Sequence, residues 1–370
     1  MRVSVVAEQL LAPVPGGTGR YTSELVAGLV RTAGPDDLVT TWVAWHRDAE
    51  RARIRGSAGP RRLPLPRRAL AEAWALGAGP APGGELVHAP TLLVPPRRSR
   101  PLVVTIHDAV PWTHPQTLTA RGVRWHRRMA AIAARHADAV TVPTEAVGDE
   151  LTHALPQLSA SRIHVLGAGV SRALVADPSA QRRADVRRRL DLPERYVITL
   201  ATLEPRKGLD VLVSALAAMG EGAPPLLAVG QLGWGGVELD SVARDAGLPA
   251  GVARALGHID DADLAVVLRE AEALVAPSRA EGFGLPLIEA MAVGTPVICS
   301  DIPAFREVAA DAALLVPVGD PDALAAAMRR LTGDAGLRAR LVAAGLSRAA
   351  GFDWDRVARR AWQLYRDLAG

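Results

Sequence analysis

The 370-residue chain contains one cysteine and one lysine. A lone thiol, Cys299, excludes an internal disulfide framework and any metal site built from several cysteines. Its place in the apolar run 296–300 marks it as a small buried residue. No stretch of about 18 uncharged apolar residues exists, so nothing reads as a membrane-spanning helix. Residues 1–7 read as a strand and lack the charged start and apolar middle of a secretory signal, and a cytoplasmic location is the expectation. The 34 glycines and 28 prolines stay below the level of roughly a quarter that marks low-complexity chains. With 49% hydrophobic and 22% charged residues, the chain should fold through most of its length.

Forty-three basic residues face 39 acidic ones, for a net charge of +4, and every basic residue but Lys207 is arginine. Such a skew fits a GC-rich genome that fills surface positions with arginine, so the basic balance is weak support for nucleic-acid binding. The single lysine is the more informative feature. A compact ammonium and a planar guanidinium are not interchangeable at a tight site.

Cores stop growing near roughly 250 residues, so two domains with a cleft between them are expected. Short β-branched runs alternate with longer amphipathic segments, the pattern of an α/β fold with parallel sheets and crossover helices. Strands are expected at 3–7, 38–44, 85–88, 102–106, 139–142 and 163–166, with helices at 19–31, 68–76, 120–136 and 145–154. After an arginine-rich polar segment at 171–189, a second series places strands at 196–201, 226–229, 252–256, 273–276, 297–300 and 314–316. Its helices fall at 208–219, 238–246, 261–270, 285–292 and 322–331. The Arg-, Pro- and Gly-rich stretch 51–101 resists parsing beyond its one short helix and the strand at 85–88. Residues 352–368 form an amphipathic closing helix whose Trp354 and Tyr365 read as packing anchors. Ligands bind doubly wound sheets beyond the carboxyl ends of the strands, which singles out the residues just after each one.

Four motifs lie there. Glu281-Gly-Phe-Gly-Leu-Pro-Leu-Ile-Glu289 leads through two glycines into a helix, where free N–H groups and the positive dipole end suit a phosphate. Its two glutamates can accept paired hydroxyl hydrogens, as on a sugar diol, or simply favour the helix dipole. Leu203-Glu-Pro-Arg-Lys-Gly208 sets Arg206 and Lys207 at a helix start, unfavourable for cations unless an anion such as a diphosphate is present. Gly16-Gly-Thr-Gly-Arg-Tyr21 has the wrong spacing for a dinucleotide fingerprint but suits a flexible loop near a phosphate or sugar. Val103-Val-Thr-Ile-His-Asp108 brings His107 to a strand end, where it could donate to a substrate hydroxyl or serve only as a satisfied structural histidine. The pairs Asp261/Asp263 and Asp353/Asp355 sit at helix starts and read as caps, so no metal is expected.

These elements, with Ala290-Met-Ala-Val-Gly-Thr-Pro-Val297 and the closing helix, resemble the retaining glycosyltransferases of family 4 over nearly the whole chain. The resemblance implies the GT-B architecture: an acceptor-binding Rossmann-like domain at 1–172, a nucleotide-sugar-binding one at 173–350, and a helix at 351–370 packing back on the first. It implies a cytoplasmic hexosyltransferase, with mannose from GDP-mannose as the donor and UDP-glucose or another nucleotide sugar as the alternative. A non-catalytic sugar-nucleotide-binding protein is the reading from another class. The acceptor implied is a hydroxyl of a glycan, a lipid-linked sugar or a small molecule, as in bacterial polysaccharide biosynthesis, with no cofactor and no nucleic-acid partner.

By residue, the resemblance implies that Arg206 and Lys207 hold the donor diphosphate and that Glu281 binds hydroxyls of the transferred sugar. Glu289 would bind the ribose, N–H groups at Phe283, Gly284 and Leu285 would complete the phosphate site, His107 would contact the sugar, and Gly17 would approach the phosphate. Some glycolipid mannosyltransferases of the family carry a further arginine where this chain has Ala201. On the acceptor side, Arg121, Arg124, Trp125, Arg127, Arg128 and Arg135 give one helix a basic face bordered by tryptophan, suited either to an anionic membrane surface or to ordinary solvation.

Overall fold

A computed structural model describes residues 1–233, 235 and 237–370. The chain divides into two compact units, Met1–Ala168 with Asp353–Gly370, and Gly169–Phe352.

The first unit holds seven parallel strands: β1 (Arg2–Val6), β2 (Leu38–Val43), β3 (Ala58–Arg62), β4 (Leu86–Ala89), β5 (Leu102–Thr105), β6 (Ala139–Val142) and β7 (Ile163–Val165). Their order is β3-β2-β1-β4-β5-β6-β7. The second holds β8 (Val197–Leu200), β9 (Leu226–Val229), β10 (Ala253–Gly257), β11 (Ala273–Ala276), β12 (Val297–Ser300) and β13 (Ala313–Val316), in the order β10-β9-β8-β11-β12-β13. Both sheets reverse direction beside their first strand, so each unit has a crevice where the loops after that strand and the fourth diverge. In the first unit these are β1 and β4; in the second, β8 and β11.

The strand runs are apolar and β-branched because both sheet faces are covered by helices, and β4, β5, β6, β9 and β12 are buried throughout. Strand β3, sequence Ala-Gly-Pro-Arg-Arg, has no such pattern. It lies at the sheet edge, where Pro60 can be tolerated because one side of an edge strand needs no donor. The glycine segment expected as a loop is instead the first turn of the helix Gly16–Arg31. A helix at Ala180–Arg189 occupies part of the segment read as polar, and further helices, Pro303–Ala309 and Ala335–Ala349, lie outside the expected set.

Within the first unit, the helix Trp354–Ala369 packs on the helix Gly16–Arg31, and the Trp362 indole N–H donates to the Leu29 carbonyl at 3.1 Å. Trp354, Trp362 and Tyr365 are buried, each contributing on the order of 1.5–3 kcal/mol or more of apolar burial. Cys299 is buried and its thiol is pushed up to about 12 by burial, and secondarily by Asp301, which makes it unreactive.

A polar chain crosses this apolar interior. His88 Nδ1 lies 2.6 Å from the Tyr365 hydroxyl and Nε2 lies 2.8 Å from Thr105 Oγ1, which is 2.8 Å from Thr141 Oγ1. Burial, with a smaller contribution from nearby His107, lowers the His88 pKa to about 3. The native ring refuses a proton that the unfolded chain takes up below its ordinary value of 6.5. Its contribution is therefore complete above that pH and is lost as the pH falls toward 3, with a slope of up to about 1.4 kcal/mol per unit. Urea unfolding at pH 7 and pH 5 should show the loss, and His88→Gln should flatten it by about one proton; an unchanged slope in the variant contradicts this account.

Candidate functional site

In the second unit the loops after β8 and β11 meet around one carboxylate. Glu281 Oε1 accepts from Lys207 Nζ at 2.6 Å and from Ser278 Oγ at 2.8 Å, and Oε2 accepts from Arg206 Nη1 at 2.7 Å. The side chains of Arg206, Lys207 and Glu281 retain only 13–16% exposure. Burial works to raise the Glu281 pKa, but the charges of Arg206 and Lys207 and the hydrogen bonds from Lys207 and Ser278 outweigh it and hold the group at about 2.

Local structure explains the meeting. Residues Pro205–Lys207 form a single tight turn that ends at Gly208, whose φ is +67°. A Cβ there would lie 2.1 Å from the Pro277 carbonyl oxygen, so only glycine lets the two loops approach this closely. Arg279 stitches them: its backbone N–H donates to the Arg206 carbonyl at 2.8 Å, while its guanidinium reaches the Pro205 carbonyl and Asp210. Gly284, at φ +103°, caps the helix Leu285–Ala292, and a Cβ on it would lie 2.6 Å from Phe305. The turn Phe283–Leu285 thus delivers the start of that helix next to the Glu281 loop. Glu289 lies inside the helix with 4% exposure.

The anion expected beside Arg206 and Lys207 is supplied here by protein carboxylates, Glu281 and also Glu204, whose Oε1 accepts from Arg206 Nε at 3.1 Å and Nη2 at 2.7 Å. Of the aspartate pairs, Asp353 caps its helix as expected, whereas the cap of the other helix is Asp260. Asp263 is buried and paired to Arg182 and Arg189. No cluster of three or more metal-ligating side chains occurs among the described residues.

In the first unit, His107 lines a cavity of about 340 Å³ beside β1 and β4. Its walls include Glu8, Thr18, Thr91, His107, Trp125 and His126. Gly17 precedes Thr18 in the helix's first turn. His107 Nε2 lies 2.7 Å from the Pro90 carbonyl, which can only accept, so that nitrogen carries the proton. Burial lowers the pKa of the ring against the opposing pull of Pro90 and Asp108, which keeps it neutral near pH 7. The N–H expected to reach substrate is thus committed, and His107 offers a lone pair at Nδ1 instead. Tyr21 packs edge-on against His107 at 4.8 Å and against Trp354 at 5.3 Å, fixing the ring from behind.

Glu8 was not singled out by its sequence context. It is 2% exposed and accepts from the Ala44 N–H and from His46 Nε2, each at 2.8 Å. Its position just after the first strand was the available signal. On the helix Ala120–His136, Arg127 donates to the Pro111 carbonyl and Arg128 to the Ala75 carbonyl, while Trp125 lines the cavity. Part of the basic face therefore serves the unit's own packing.

A family model described as Glycosyltransferase Family 4 matches residues 15–174, and one described as Glycosyl transferases group 1 matches residues 181–348. The chain is 42% identical over 172 residues to a phosphatidyl-myo-inositol mannosyltransferase of Mycolicibacterium smegmatis, a match covering 45% of this chain and 43% of that protein. The match therefore spans less than half the length of that relative. An O-antigen chain mannosyltransferase B of Escherichia coli is 29% identical over 310 residues, covering 83% of this chain and 79% of that one. Among solved structures, a sucrose-phosphate synthase from Thermosynechococcus elongatus superposes with a TM-score of 0.76 at 23% identity, over 100% of this chain and 99% of the other.

The Glu281 carboxylate should titrate near 2 rather than near its ordinary 4.5. Carbon-13 NMR of the side-chain carboxyl, assigned with Glu281→Gln, reads this directly; an inflection near 4.5 would show the cluster is not formed in solution. The chain thus joins a domain matching Glycosyltransferase Family 4 to one matching Glycosyl transferases group 1, on a GT-B fold.

Proposed function

We propose that this protein is a retaining hexosyltransferase that moves mannose from GDP-mannose to a hydroxyl of a glycan, glycolipid or small acceptor. The observation that carries the proposal is the meeting of Lys207, Arg206 and Glu281 at the β8/β11 crevice, next to the start of the helix Leu285–Ala292. The choice of mannose is supported by two relatives named as mannosyltransferases.

In the reaction the bond between the sugar's anomeric carbon and the β-phosphate oxygen breaks, and a bond to the acceptor oxygen forms on the same face. The acceptor's proton passes to a leaving phosphate oxygen, giving the glycoside and GDP. Negative charge grows on the diphosphate as the bond breaks. The Lys207 ammonium and the N–H groups at Phe283, Gly284 and Leu285 would meet it as preorganised donors, a role each can perform without a metal. Glu281, ionised and fixed on both oxygens, would accept hydroxyl hydrogens of the transferred sugar, and Glu289 those of the ribose. His107 Nδ1 would accept a hydroxyl hydrogen on the side of the first unit.

One such donor is worth about 3–4 kcal/mol in the transition state, so Lys207→Ala should lower turnover by roughly a hundredfold or more. A thermal-shift panel of GDP-mannose, UDP-glucose, UDP-GlcNAc and dTDP-sugars should give the largest stabilisation with GDP-mannose, and transfer should survive EDTA. Full activity in Lys207→Ala, or a preference for a uridine donor, would contradict the corresponding part of this reading.

A further inference from the structure

We propose that Glu204 is a positioning residue which, by holding Arg206, fixes the Glu281 carboxylate, and that Lys207 is the cation of the pair that meets the donor phosphates. The proposal rests on the donor-site reading above and divides the labour within it.

The geometry of Arg206 carries the inference. A guanidinium has five N–H donors in a planar fork. Nε and one hydrogen of Nη2 are directed at Glu204 Oε1, and Nη1 donates to both the Ala280 carbonyl, at 2.8 Å, and Glu281 Oε2, at 2.7 Å. Four donors, on all three nitrogens, are thus engaged by protein oxygens. Turning the fork toward a diphosphate would strip Glu204 and Glu281 of these partners at a place where both side chains are largely out of water, 12% and 13% exposed. Breaking hydrogen bonds to largely buried carboxylates costs more than breaking those of an exposed pair.

Lys207 stands differently. Its ammonium has three donors on a rotatable stem, of which one is directed at Glu281 Oε1. It can keep Glu281 and turn a second hydrogen to a phosphate. The cluster also balances: Glu204 and Glu281 match Arg206 and Lys207 in charge, so the incoming diphosphate meets neutral surroundings with one adaptable cation. Glu204 is placed for this because it begins the tight turn Pro205–Lys207 in extended backbone, two residues before Arg206. Its carboxylate sets one edge of the guanidinium while Ala280 and Glu281 set the other. A planar group held at both edges cannot rotate, and Glu281 inherits that rigidity.

The test compares Glu204→Ala, Glu204→Gln and Arg206→Lys with the wild type, using GDP-mannose as donor. Glu204→Ala should lower kcat by about tenfold or more, with donor KM flat or lower, because orientation is lost while Lys207 remains. Glu204→Gln, which keeps a carbonyl oxygen for the same two donors, should recover part of the loss. A rise in donor KM at unchanged kcat in Arg206→Lys would show Arg206 to be a phosphate ligand and overturn the proposal. So would wild-type kcat in Glu204→Ala. Should the wild type transfer from no donor at all, the reading of the function fails, and a double-mutant cycle of Glu204→Ala with Glu281→Gln, read by urea unfolding, still decides this one: coupling between the two through Arg206 supports positioning, and strictly additive effects overturn it.

Discussion

The candidate donor site depends on one carboxylate held between two cations. Glu281 is drawn from the loop after β11, and Arg206 and Lys207 from the loop after β8, segments more than 70 residues apart in sequence. Their attraction is strong because the side chains are mostly excluded from water, and it is tolerable because both carboxylate oxygens are hydrogen-bonded. Removing one partner of such a buried pair costs about 3–5 kcal/mol, and less to the extent that these side chains keep some exposure. The backbone is arranged for this contact. Gly208 permits the approach to Pro277, and Arg279 ties the two loops at three points.

The same topology recurs in the first unit with different chemistry. There the crevice beside β1 and β4 holds Glu8, paired with His46 and Arg67, and a neutral His107. His107 is fixed by the Pro90 carbonyl at one nitrogen and by Tyr21 against its face, and Tyr21 is backed by Trp354 of the last helix. The polar chain His88, Thr105, Thr141 and Tyr365 ties that helix to three neighbouring strands, including β5, which leads to His107. The last 18 residues are thus part of what holds the crevice of the first unit in shape.

Much of this was legible in the sequence because fully buried parallel strands announce themselves as short β-branched runs. Strands β6, β9, β11 and β12 fall at the expected residues. Strand β3 was hidden because an edge strand carrying Gly59, Pro60 and two arginines obeys neither alternation nor apolar continuity. The helix at 16–31 swallowed the glycine loop because Gly17 and Gly19 suggest flexibility in isolation, while the packing of Tyr21 and Leu25 stabilises the turn. Lys207 stood out by its rarity, and the position of Glu281 before a helix marked it as a candidate. What the sequence did not disclose is that these charges neutralise one another, since a contact between distant loops leaves no trace in local pattern. The roles of Glu204 and Arg279 follow only from that contact.

The most direct test of the central claim is a double-mutant cycle on Lys207→Met and Glu281→Gln, read by urea unfolding. Residues that share an ion pair couple by about 0.5–3 kcal/mol, and this buried pair should lie in the upper half of that range. A coupling energy indistinguishable from zero would contradict the claim that this contact organises the site.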